Sequence, residues 1–150
     1  MASITCTRTI AVAAQDIWYV LADFGAIADW VGAVDHSCIL NHGPDGSPLG
    51  TSRRIQSGRN TFVERITEFD IPRALAYTIE GLPARVRDAE NRWTLKPTVS
   101  GATEVSLTST VSIGAGVLHR LAEHLLCRLL ARQSQTMLSD LSRRCEAAGV

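Results

Sequence analysis

The spacing of apolar residues changes twice along this chain, and the changes divide it into predicted elements. Residues 3–12 (SITCTRTIAV) are rich in β-branched side chains punctuated by polar ones, which predicts a strand. In residues 15–23 the period lengthens. Ile17, Val20 and Leu21 fall at i, i+3 and i+4, and Asp16 lies in the first turn, where a negative charge suits a helix N-terminus. A second short helix is expected over roughly 25–30, after Gly25.

Six further strands are predicted: 33–40, 51–57, 61–69, 74–80, 86–96 and 102–113. Turn chemistry separates them. The breaks are NHGPDGSPLG, Gly58-Arg59-Asn60, Asp70-Ile71-Pro72-Arg73, Gly81-Leu82-Pro83 and PTVSG. Short strands at this spacing imply an antiparallel meander. From about 115 to 147 the pattern is helical and free of proline. Leu118, Leu121, Ala122, Leu125, Leu129, Met137 and Leu141 recur at three- and four-residue steps. Such a helix is roughly 45 Å long and needs the sheet as its partner. The fold class is therefore α+β: a seven-stranded curled antiparallel sheet, two short helices and one long C-terminal helix. Strong sheet twist leaves space between sheet and helix, where small ligands bind.

Composition narrows the function classes. The 150 residues carry 15 basic and 15 acidic side chains, for a formal net charge of zero. Binding to a nucleic-acid backbone or to anionic lipid favours a basic excess, so neither is expected. No stretch approaches the roughly 20 apolar residues of a membrane span, and the N-terminal residues lack a signal peptide's continuous apolar stretch. Cys6, Cys38, Cys127 and Cys145 form no C-x-x-C pair, so buried or half-buried free thiols in a reducing cytoplasm are expected. No repeat or linker interrupts the chain, and residues 1–150 are read as one domain.

The segments IWYVLADFGAIADWVGAV (17–34), GTSRRI (50–55), VERITEFDIPRALAYTIEG (63–81) and NRWTLKPTVSGATEVSLTSTV (91–111), with the order of elements, resemble the START-like superfamily. This is the helix-grip fold of birch-pollen-allergen-type proteins, lipid-transfer domains and bacterial polyketide cyclase/dehydrase-like proteins. The resemblance implies a cavity for a small hydrophobic or amphipathic ligand, with no cofactor. It places Glu64, Tyr77, Asn91, Trp93 and Leu95 inward on their strands, with Leu125, Leu129 and Gln133 on the facing stripe of the helix. Period-two alternation agrees that Tyr77 and Ile79 share a face, as do Asn91, Trp93 and Leu95.

Each candidate has two readings. In an apolar cavity the Glu64 carboxyl would have a raised pKa and act as acid or base; otherwise it is an exposed strand residue paired with Arg53, Arg54 or Arg65. Glu68 and Arg92 are alternatives. Tyr77 would orient a ligand oxygen, or is a satisfied core tyrosine. Trp30 and Trp93 form part of a ligand cage or pack the core. His119 and His124 lie five apart and point about 140° away from each other on a helix, so no metal site is expected. The glycine-rich loop 42–50 lacks a phosphate-binding ending and reads as a turn, which the resemblance sets near the cavity mouth. Leu126 and Leu130 on the helix flank, or an exposed edge strand, are where a homodimer would form. Ligand binding, cyclase, aromatase or dehydratase activity, and a protein-interaction role all remain open on this fold.

Overall fold

A computed structural model describes residues 2–114 and 119–148. Leu118, the expected helical start at 115–118 and the side chains of His119 and Arg120 lie outside the described residues. The elements run β1 (Ala2–Ile10), α1 (Ala14–Ala22), a 3-10 segment (Phe24–Asp29), β2 (His36–Asn41), β3 (Ser52–Ser57), β4 (Asn60–Asp70), β5 (Ala74–Glu80), β6 (Val86–Pro97), β7 (Thr103–Ile113) and α2 (His119–Ala148). All seven strands form one antiparallel sheet, in the order β1-β7-β6-β5-β4-β3-β2. No described helix is long and apolar enough to cross a membrane.

Two local expectations are corrected, and the loop at 42–50 is the turn expected. The second short helix is a 3-10 segment with non-helical dihedrals at Ala26. The second strand begins at His36, so Ala33 and Val34 precede it as irregular backbone. The loop at 42–50 folds back on itself: Gly43 N–H donates to the Ser47 carbonyl, and a side chain at Gly43 would strike the Leu49 carbonyl oxygen.

Alternation sets the two faces of the sheet. Ile66, Leu75, Tyr77, Ala89, Asn91, Trp93, Leu95, Val105, Leu107 and Ser109 turn inward and are buried. On the outer face Glu68 and Arg92 pair with each other (2.7 Å), Arg92 holding the Glu68 carboxyl below the ordinary carboxylate range. That position removes both as cavity candidates. Cys38 is exposed rather than buried, and all four cysteines are free thiols.

α2 is buried mainly through its C-terminal half, where Ser134, Met137, Leu138, Leu141 and Cys145 face the sheet and α1. Its N-terminal half overturns part of the sequence reading. Leu121, Leu125 and Leu129 are 60%, 54% and 63% exposed. A strict four-residue row advances about 40° around a helix at each step, so it cannot stay on one face. Relative to Leu141, Leu129 is rotated by about 120° and Leu125 by about 160°, whereas Leu130 is rotated by only about 20° and Leu126 by about 60°. Leu126 and Leu130, expected on an outward flank, therefore face the sheet.

Candidate functional site

Between the inner face of the sheet and the N-terminal half of α2 lies a cavity of about 450 Å³. Its apolar wall includes Ile27, Val31, Ile55, Ile79, Leu126 and Leu130. Its polar wall includes Glu64, Tyr77, Asn91, Ser109, Gln133 and Ser134.

Strand register builds the polar wall. Tyr77 pairs with Asn91 across β5 and β6, and Asn91 with Ser109 across β6 and β7, so the three stand in one row. Ser109 Oγ donates to Asn91 Oδ1 (2.7 Å), and Asn91 Nδ2 donates to Tyr77 Oη (3.4 Å). The Ser109 proton is spent on Asn91, so the Ser134 hydroxyl of α2 donates to Ser109 Oγ (3.3 Å). One continuous chain of hydrogen bonds thus ties the helix to the middle of the sheet. Tyr77 Oη also accepts from the Trp93 indole N–H (3.3 Å), leaving its own proton without an acceptor among the described residues. Burial, then the neighbouring charge of Glu64, pushes the Tyr77 hydroxyl above its ordinary pKa. It is a neutral donor.

Glu64 combines parts of both sequence readings. It pairs with Arg53, directly opposite on β3, but both are buried, 7% and 2% exposed. Arg53 Nε and Nη2 lie 2.8 and 2.6 Å from the same oxygen, Oε1. Arg53 Nη1 donates to the Phe24 carbonyl (2.8 Å), and the guanidinium lies 3.7 Å from the Phe24 ring centre and 4.7 Å from that of Tyr77. Arg53 is thus held behind the wall, while Glu64 is part of it. Oε2 accepts no hydrogen bond among the described residues. Burial raises the Glu64 carboxyl above its ordinary 4.5, with Arg53 pulling the other way. The sequence pointed to Glu64 but treated Arg53 only as one of three surface partners. Only the register Arg53↔Glu64 distinguishes it from Arg54 and Arg65.

Of the ten residues expected at the ligand, Glu64, Tyr77, Ile79, Asn91 and Gln133 stand on the cavity wall. The other five do not. Leu125 and Leu129 point to solvent for the rotational reason given above. Trp93 and Leu95 do share the inward face of Asn91, but they are buried in the core, where α1 meets β6, and neither lines the cavity. Trp30 packs edge-on against Trp93, 6.0 Å between centres, as part of this core. None of residues 42–50 lines the cavity. Missed wall residues include Leu126 and Leu130, hidden by leucines all round the helix, and Ala33 and Val34, assigned to a strand.

The model of the family described as polyketide cyclase / dehydrase and lipid transport matches residues 1–146. The chain belongs to this family. Among solved structures, this family member is similar to the ZhuI aromatase/cyclase from Streptomyces sp. R1128, with TM-score 0.78 and 23% identity, covering 96% of this chain and 93% of that one. It is likewise similar to a START superfamily protein from Mycobacterium smegmatis, with TM-score 0.77 and 17% identity over 99% of both chains. The di-domain aromatase/cyclase StfQ of the steffimycin biosynthetic pathway gives TM-score 0.80 at 17% identity, over 99% of this chain and 52% of that one. At these identities the likeness shows the START-like fold. Comparison with curated protein sequences finds no match.

Proposed function

We propose that this polyketide cyclase/dehydrase family member holds a small hydrophobic or amphipathic molecule in the cavity between the sheet and α2. The observation that carries the proposal is the cavity itself. Its roughly 450 Å³ falls in the range of small-molecule sites, and its wall is mainly apolar with a few polar groups gathered on one side. Ala89, on the inner face of β6, offers the test, because a larger side chain there enters the empty space. An environment-sensitive apolar dye should gain fluorescence with the wild-type protein. Ala89→Phe should weaken that binding by about tenfold or more, while the melting temperature stays within a few degrees, since the ring fills space instead of displacing neighbours. Absence of any fluorescence gain with the wild-type protein, together with no molecule released on organic extraction, would overturn the reading.

A second reading is favoured by one observation, the buried Glu64 with its raised pKa and unbonded oxygen. A carboxyl tuned upward by burial serves as acid or base, and the ZhuI neighbour is an aromatase/cyclase. On this reading the cavity orients a polyketide-like substrate for cyclisation or dehydration, with Glu64 moving the proton and Tyr77 donating to a substrate oxygen. Glu64→Gln keeps an acceptor for Arg53 and removes the titratable proton. It should reduce turnover of such a substrate by about 100-fold or more, and turnover unchanged in a folded variant would end this reading.

A further inference from the structure

Zero net charge conceals an uneven surface. On the outward side of α2, Leu121, Leu125 and Leu129 form an exposed row of apolar side chains. Leu126 and Leu130 wall the cavity from another side of the same turns, so the row serves neither the cavity nor the core. Further along the helix the same outward side becomes basic. Arg132 and Arg143 fall within about 20° of Leu125 around the helix, and Arg128 within about 60°. Arg8 of β1 joins Arg132 and Arg143 around an open concavity that also holds Ser139. Asp140 borders it but is buried: one carboxylate oxygen accepts from the Gly32 N–H (3.0 Å), and the other meets Arg143 at 3.4 Å. Arg8, Arg128 and Arg132 have no acidic partner among the described residues.

Bare leucines running into unpaired arginines fit a partner that is apolar and anionic at once. A second copy of the chain does not meet that description. It would bring the same stripe, which from Leu121 to Arg143 holds no exposed acidic side chain for the arginines. A specific protein partner needs about 1,200 Å² of contact, and one convex ridge of leucines roughly 12 Å long offers little of it. A bilayer surface needs no matching groove. Leucines enter the boundary between headgroups and acyl chains, while arginines stay with the lipid phosphates. We propose that this face of α2, together with Arg8 of β1, docks on an anionic lipid surface. Zero net charge does not oppose docking, because the attraction fades over about 10 Å and the arginines nearest the surface set it.

The test is co-sedimentation of the full chain with two kinds of vesicle: phosphatidylcholine alone, and phosphatidylcholine with phosphatidylglycerol in equal parts. At low salt the wild-type protein should partition onto the anionic vesicles about tenfold or more in excess of the neutral ones, and high salt should erase most of that preference. Arg8→Ala with Arg132→Ala should weaken anionic-vesicle binding by about tenfold or more, at about fivefold for each arginine. Arg54→Ala, on the opposite face of the sheet, should weaken it by less than about twofold. Leu125→Gln with Leu129→Gln should also cost about tenfold, by removing the side chains that enter the boundary. All four substituted side chains are exposed, so the melting temperatures should stay within a few degrees. Equal partition onto the two vesicles, or none onto either, overturns the proposal, and this wild-type comparison decides it even if a variant folds poorly. Displacement from the vesicles by millimolar inorganic phosphate, with the leucine variant binding like wild type, overturns it in favour of a free-anion site. Indifference to vesicles with tight binding of an acidic amphipathic peptide overturns it in favour of a protein partner. Cavity binding of the apolar dye is a separate measurement, and neither result depends on the other.

Discussion

Arg53→Met is expected to destabilise the protein by about 3–5 kcal/mol, because it strands the Glu64 carboxylate in a buried site. The side chain it removes meets three different groups. It carries both contacts to Glu64 Oε1, a hydrogen bond to the Phe24 carbonyl and the packing between the Phe24 and Tyr77 rings. Loss of the cation leaves Glu64 to keep a charge without a partner or to take up a proton, and either outcome lowers stability at neutral pH. For a chain of this size the melting temperature should fall by on the order of 10 °C. A lysine should recover only part of the loss, since an ammonium cannot serve both Glu64 and Phe24 in one plane. The double variant Arg53→Met with Glu64→Leu should recover most of it, because no buried charge then remains. Urea denaturation of the four proteins checks this. A single-variant loss below about 1 kcal/mol would mean that the pair behaves as an exposed one.

The second large effect is expected at Trp93. It is among the largest fully buried side chains, meets Trp30 edge-on and donates its indole proton to Tyr77. Trp93→Ala opens a void in the core beside Trp30, and should cost about 3–5 kcal/mol. It also removes one of the two donors that orient the Tyr77 hydroxyl. The same urea titration reads the cost. A small loss of stability accompanied by a large loss of dye affinity would place Trp93 at the ligand instead of in the core.

The strands were legible because alternation and turn residues act locally: Gly58, Pro72 and Gly81 each sit beside a chain reversal wherever the rest of the protein lies. The inward face of β5 and β6 followed from the same alternation, and Tyr77, Ile79 and Asn91 stand on that face. How far the cavity extends along that face was not legible. Asn91 and Trp93 have the same orientation, and only the packing of α1 and Trp30 against β6 decides that the first meets the cavity and the second the core. The helix posed a different problem. Between Leu121 and Leu130 leucines occupy opposite sides, so periodicity offers two apolar stripes and the burial of Met137 and Leu141 picks one. The importance of Arg53 was hidden for a third reason: an ion pair across strands depends on register, which three neighbouring arginines leave open.

The sheet order has a consequence for how the protein is made. β1 precedes the other six strands in the chain, yet among the described residues its strand partner is β7, with Ala2 opposite Val111 and Ile10 opposite Thr103. Joining them closes a loop containing most of the chain, an entropic cost that local hairpins such as β3–β4 do not meet. The meander from β2 to β7 can zip up through neighbours alone, whereas β1 must wait with an unpaired edge until β7 has emerged. Non-local closure of this kind slows folding. It also means that the side of the sheet against which α2 seats is completed last, by the oldest and youngest strands together.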